Sequence, residues 1–332
     1  MKTKTTLCLT VVLALGGLKY IVSPESISPA PSSNEPLLLT RYINESRYKE
    51  ARNASKVALF EMYGVKAYSG FITVNSTCDI NLFFLFIVSQ KNNSADPVIL
   101  WTQGGPGLSA LLGELLQNGP IAFDPQTGNL SVRANTLQKT ANMIYLDLPV
   151  GAGFSFTSRN DCYAKSLEDI NDHVAGFLSQ FLLLFPEYKQ RDFYAAGESY
   201  AARYSVSVAN MMLESKKDES LSLKGVIGGN GFLGQIDPLF PSVNQRDYLS
   251  KLQWNEAVAY KNAQRFPWKP SNWSGHDGFA GYLRQTERFT DALIIAMSHY
   301  GSAEKPDVMY YLMQEFMTNS SAAAKASQKT KK

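Results

Sequence analysis

Short apolar runs separated by turn residues set the pattern of this chain. AYSGFITV (67–74) and NLFFLFIVS (81–89) flank the turn-rich NSTCDI, which predicts two strands joined as a hairpin. VILWTQ (98–103) reads as a buried strand running into GGPG, and SALLGELLQ (109–117) as a helix. NMIYLDLP (142–149) is a fourth strand and ends in the glycine-rich turn GAGFSF. In SLEDINDHVAGFLSQFLLLFPEY (166–188) apolar residues recur at helical spacing behind a Ser166/Asp169 capping pair.

A strand from Asp192 ends at Gly197, and a helix starts just after Ser199. KGVIGGNG (224–231) predicts a further strand, 252–266 a helix, DALIIAMSH (291–299) a strand and 304–317 a closing helix. Strands alternating with helices predict an α/β domain with a mostly parallel central sheet. There is no internal repeat.

The ends differ from this core. The first residues, MKTKTTLCLTVVLALGGLKYIVS, place two lysines before an apolar stretch. That is the layout of a signal peptide, expected over 1–22, and the stretch is shorter than the roughly 20 residues of a membrane span. No membrane span is expected after its removal. Residues 23–55 read as a Pro/Ser/Asn-rich arm, 56–318 as the globular domain, and the low-complexity 319–332 as a disordered tail.

Composition adds little except by exclusion. The chain has 332 residues, 45% of them hydrophobic, and a net charge of +3 with scattered Lys and Arg, so no nucleic-acid partner is expected. Seven Asn-x-Ser/Thr triplets, at Asn44, Asn53, Asn75, Asn92, Asn129, Asn272 and Asn319, mark glycosylation candidates and point to the secretory pathway. Cys8 falls in the leader. Cys78 and Cys162 either pair in an oxidising compartment or stay as two thiols. No metal site is expected, because the cysteines and histidines lack ligand spacing. No cofactor is expected either, since GAGF falls short of a dinucleotide fingerprint.

The chemistry centres on Gly197-Glu198-Ser199-Tyr200-Ala201, a relaxed G-x-S-x-G. On a strand-to-helix corner, small residues two before and two after the serine let the backbone cross, and the hydroxyl stands exposed at a helix N-terminus. An oxyanion hole draws a second N–H from another loop, for which WTQGGPG (101–107) is the candidate. In the chain order Ser…acid…His the base follows the serine. That disfavours His173 on the long helix. His276 sits in a polar loop beside a glycosylation triplet, and His299, at the end of the last strand, is the favoured base. For the acid, Asp218, Asp237, Asp247, Asp277 and Asp291 all remain open.

Four blocks together, WTQGGPGLSALLGELLQNGPIAF, NMIYLDLPVGAGFSFT, FYAAGESYAARY and GVIGGNGFLGQIDP, resemble the serine carboxypeptidases of the α/β-hydrolase fold. The vitellogenic-like branch also favours Gln before GGPG. The resemblance covers about 55–240 and resumes over 245–318. It implies Ser199 as nucleophile, His299 as general base, and Gly105 and Tyr200 as backbone oxyanion donors. It implies Gln103, Gly104 and Glu198 as the binding set for the C-terminal carboxylate of a peptide or protein substrate. A carboxyl facing a carboxylate needs a shared proton, which favours acidic pH and a secreted, lysosomal or vacuolar location.

Three departures stand out. The cap insertion after GNG and the strand carrying the catalytic Asp are missing, Ser298-His299-Tyr300 replaces the usual surround of the histidine, and Ala202 replaces a glycine. Losing the acid costs a triad enzyme about 10⁴ in kcat. The expectation is a serine carboxypeptidase of reduced activity working through an acyl-enzyme. The alternatives are an inactive secreted glycoprotein that binds peptides or a partner, and a lipase or acyltransferase of the same fold. A homodimeric assembly is left open.

Overall fold

The computed structural model describes residues 35–214, 220–229, 247, 249, 251, 253–271, 278–299 and 301–329. The expected leader, His276 and Asn272 lie outside these residues, as do Asp218, Asp237 and Asp277.

The predicted hairpin forms as β1 (Ala67–Asn75) and β2 (Ile80–Ile87). The other predicted strands are β3 (Val98–Thr102), β6 (Asn142–Leu146), β7 (Asp192–Glu198) and β8 (Ser222–Gly229). A small hairpin, β4 (Ile121–Phe123) with β5 (Leu130–Val132), lies between β3 and β6 in sequence. The main sheet runs β1-β2-β6-β3-β7-β8. β6, β3, β7 and β8 pair in parallel, while β1 and β2 enter antiparallel at one edge.

Period-two alternation divides the core between the two faces of this sheet. Phe84 and Phe86 of β2, Val98 and Leu100 of β3, and Phe193 and Ala195 of β7 face one cluster. Leu85 and Ile87, Ile99 and Trp101, and Tyr194 and Ala196 face the other. On the first face lies α5 (Leu167–Leu184), whose Ser166/Asp169 capping box is present as predicted. Its Phe181 ring meets Phe86 edge-on at 5.0 Å. α6 (Ala201–Glu214) packs on the same face.

Several expectations are corrected. The arm reading of 23–55 fails beyond Leu38: α1 (Leu39–Asn44) and α2 (Tyr48–Ala54) dock on the sheet. Sparse apolar residues, Leu39, Ile43 and Ala51, are buried and suffice to dock them, and α3 (Ala58–Glu61) follows. The helix expected over 109–117 is only one turn of α-helix, α4 (Leu111–Gly113), and then widens into a π-helix over Glu114–Asn118. The expected helix over 252–266 is limited to α7 (Ala257–Asn262), because Pro267 favours extended backbone before it and β9 (Phe266–Trp268) forms there.

The strand expected over 291–299 is shorter, β11 (Thr290–Ile294), and lies outside the main sheet. It belongs to a three-stranded antiparallel sheet, β11-β10-β9, with β10 (Gly281–Gln285) in the middle. After α8 (Gly301–Glu304), the closing helix α9 (Pro306–Lys329) runs into the tail expected to be disordered. The AAAKA run there has high intrinsic helix propensity. Among the described residues no helix is long and apolar enough to cross a membrane.

Candidate active site

Ser199 sits at the C-terminal end of β7, on the turn into α6, with φ +57°. An L-residue in that left-handed region carries about 1–2 kcal/mol of strain. Its neighbours hold it there. Ser199 N–H donates to Gly229 O of β8 at 2.9 Å. A Cβ on Gly197 would lie 2.5 Å from Ala201 O, so the position two before the serine admits only glycine, and Ala201 two after it is fully buried. This is the tight strand-to-helix corner that the sequence pattern predicts.

The loop after β3 packs on the corner. A Cβ on Gly104 would stand 2.7 Å from both Ser199 Cβ and Glu198 O, so bare backbone is what fits there. Gly105 has φ +113° and precedes a cis bond to Pro106. Neither the Gly105 N–H nor the Tyr200 N–H donates to a group among the described residues. His299 follows β11, and its Nε2 lies 2.8 Å from Ser199 Oγ. The turn before it is tied by Glu304, whose carboxylate accepts from Ser298 N–H at 2.9 Å and from the Ser298 hydroxyl.

Glu198 is buried beside the serine. Two amides, Gln103 Nε2 and Gln117 Nε2, donate to the same oxygen, Oε2. Trp101 Nε1–H fixes Gln103 by donating to its Oε1 at 3.1 Å. Gln103, Gly104, Gly105, Glu198, Ser199, Tyr200 and His299 thus converge, as the sequence reading grouped them. Gln117 is the member that reading missed. A lone amide within the apolar SALLGELLQ was its only signal, and an α-helical reading gave it no partner.

The π-helix carries Gln117 toward Glu198, and π turns recur at functional sites. Arg133 straps the π-helix end, donating from Nη2 to Leu115 O at 2.9 Å and from Nη1 to Gly119 O. Tyr145 Oη donates to Asn118 Oδ1 at 2.7 Å. Glu114, fully buried in the same turn, is pushed up to about 8 by desolvation, only partly offset by the Ile121 N–H and the Arg133 charge.

The candidate acids divide. Asp291 accepts from Tyr260 Oη at 2.9 Å and pairs with Arg265 at 3.3 Å, and Asp247 pairs with Lys251 at 2.7 Å. His173 packs on α5, where burial pushes its imidazole down. No cluster suited to a metal ion occurs among the described residues. Cys78 and Cys162 form a disulfide. Six of the seven candidate glycosylation asparagines are described, and all six are exposed.

The sequence profile described as serine carboxypeptidase matches residues 59–238. A human protein named probable serine carboxypeptidase CPVL is 38% identical over 211 residues, which are 62% of this chain and 44% of that one. The vitellogenic carboxypeptidase of Aedes aegypti is 31% identical over 275 residues, 78% of this chain and 57% of that one. The chain therefore spans about half the length of these relatives. In architecture it is similar to Kex1Δp, a prohormone-processing carboxypeptidase of Saccharomyces cerevisiae, with a TM-score of 0.71 and 16% identity over 81% of this chain and 96% of that one.

Proposed function

The chain belongs to the serine carboxypeptidase family, and from that premise we propose that it is a serine-type carboxypeptidase of reduced activity that releases C-terminal residues from peptides. The observation that carries this reading is the 2.8 Å contact between Ser199 Oγ and His299 Nε2, made beside a buried carboxyl held by two amides.

Ser199 Oγ attacks the scissile carbonyl while His299 Nε2 takes its proton. The Gly105 and Tyr200 N–H groups receive the oxyanion. The imidazolium then protonates the leaving amine, and water, deprotonated by His299, releases the acyl group. Gln103 and Gly104 hold the substrate's terminal carboxylate together with Glu198. Two carboxyl groups brought face to face need one proton between them, so the pairing of Glu198 with the substrate carboxylate requires that one of the two be protonated. Binding therefore strengthens as pH falls.

The exposed candidate glycosylation asparagines and the disulfide support a secreted or lysosomal glycoprotein. The test is labelling of the folded, full chain with a fluorophosphonate, with Ser199→Ala as control, followed by peptide trimming at pH 5. Labelling that disappears in the control supports the reading. A well-folded chain that neither labels nor trims peptides leaves only the peptide-binding glycoprotein.

A further inference from the structure

Asp147 immediately follows β6 and is fully buried. Its backbone is locked from two sides: its N–H donates to Phe83 O at 3.1 Å, and its carbonyl accepts from Ser155 Oγ at 2.7 Å. Its carboxyl joins two loops. Oδ1 accepts from the Ser109 hydroxyl and from Ala110 N–H, both at 2.7 Å. Oδ2 accepts from Phe154 N–H at 2.7 Å. The fit is close enough that a Cβ on Gly153 would lie 2.0 Å from Oδ2.

A buried carboxyl is costly unless its acceptors are filled. Here three short bonds fill them, and burial still pushes the group up to about 6. The partners show what it holds. Ser109 and Ala110 end the loop that starts at Gln103 and contains Gly104 and Gly105. At its start that loop is fixed by β3, where Thr102 pairs in register with Gly197 just before the elbow. Within it, Leu108 N–H closes a turn onto Gly104 O at 3.0 Å. Its far end is pinned through Asp147 to β6, the other strand neighbouring β3. Gly105 N–H thus lies on a span clamped at both ends, and oxyanion donors need placement to within about 0.5 Å.

We propose that Asp147 is a positioning residue for the hydrolytic step: it clamps the far end of the Gly104–Gly105 loop so that the Gly105 N–H faces the carbonyl attacked by Ser199. This rests on the carboxypeptidase reading, and it assigns a reaction role to a residue that touches neither substrate nor nucleophile. Ser109 takes part as the adjustable member. Its hydroxyl donates to Oδ1 while accepting Leu111 N–H at 3.2 Å, so it also holds the first turn of α4.

The test uses the full chain with Asp147→Asn and Ser109→Ala. Fluorophosphonate labelling is resolved into a maximal rate and a half-saturating concentration, and amide exchange is followed over 104–112 with α5 as internal reference. Asp147→Asn replaces an acceptor by an amide donor facing Phe154 N–H or Ala110 N–H. The expected result is a maximal rate lowered about 30-fold with half-saturation within about threefold, since an oxyanion donor is worth 10²–10³ and here is displaced, not removed. Exchange over 104–112 should speed up about tenfold while α5 stays unchanged.

Ser109→Ala, which leaves two of the three bonds and folds if Asp147→Asn does not, should show the same signature at about threefold to tenfold. An unchanged maximal rate in both variants overturns the proposal, as does unchanged exchange over 104–112. Absence of labelling in the unmodified chain would instead sink the carboxypeptidase reading, and with it any reaction role, while exchange still reports whether Asp147 holds the loop.

Discussion

His299 Nε2 stands 2.8 Å from Ser199 Oγ, yet the two residues follow strands of different sheets. Ser199 follows β7 of the six-stranded sheet, and His299 follows β11 of the separate three-stranded one. The base reaches the nucleophile only when the two sheets are docked. Replacing it by His299→Gln should lower the labelling rate by about 10³-fold or more while the thermal melt changes little. A variant that labels at the original rate would show that another group activates the serine.

Glu304 acts one step further out, holding the turn in front of His299 through Ser298. Glu304→Ala should reduce the labelling rate by about tenfold, and Glu304→Gln, which keeps one acceptor, should recover part of that. Equal rates in all three proteins would mean that the turn needs no such tie.

The shared oxygen of Glu198 makes Gln103 and Gln117 a matched pair. Gln117→Leu removes one of the two amide donors on Oε2. KM for a peptide at pH 5 should rise about tenfold with kcat within about threefold, and Glu198→Ala should raise it further. For the unmodified chain KM should increase from pH 5 to pH 7, as the proton shared with the substrate carboxylate is lost. A KM that ignores both substitutions would place the carboxylate contact elsewhere.

Gly104→Ala introduces a methyl 2.7 Å from Ser199 Cβ and Glu198 O, on the loop that packs against the elbow. The obstacle is backbone, which yields only by moving the loop. Labelling should drop at least about 100-fold, with a stability loss of about 1–3 kcal/mol. Normal labelling would show that the loop can retreat without consequence.

Glu114 and Asp147 make stability depend on pH. Their folded values, about 8 and about 6, lie above the ordinary 4.5 and 3.8, and burial is the main cause. The folded state thus binds more protons than the unfolded chain between about pH 4 and pH 8, so these two groups lower stability as pH rises through that window. The melting temperature should therefore climb from pH 8 toward pH 5, and Glu114→Gln should flatten the part of the slope above pH 6. An unchanged slope in that variant would mean that Glu114 titrates normally.

What could be read in the chain, and what could not, follows from the physics of each element. Strand β2 alternates Phe84, Leu85, Phe86 and Ile87 between two cores, so its apolar run was legible without contacts. The Ser166 cap and the Gly197/Ala201 pair around Ser199 are local steric requirements and survive as sequence signals. The π-helix at Glu114 is different: apolar spacing over five residues does not separate one helical pitch from another. Gln117 became legible only when a residue 81 positions away supplied its acceptor. β9 is three residues long with a proline at its centre, and β10 mixes apolar and polar residues, so neither announces an antiparallel sheet and the strand before His299 reads as one more strand of the main sheet.

The docked segment ahead of β1 bears on how the chain can be trimmed. Leu37 O accepts Phe71 N–H at 2.9 Å, and Leu39 packs over Gly70, where a Cβ would reach 2.9 Å from its Cδ1. Thr40 Oγ1 also accepts Thr73 N–H and donates to Gln180 on α5, so the segment stitches the edge strand to a helix. A maturation protease that cut beyond residue 40 would lay bare the apolar flank of β1 together with unpaired N–H groups of its edge, the features that recruit a second edge strand. Proteolytic shaping of the N-terminal end is compatible with a well-behaved particle only upstream of Leu37, so the boundary of the folded unit is a property of colloidal stability as well as of architecture.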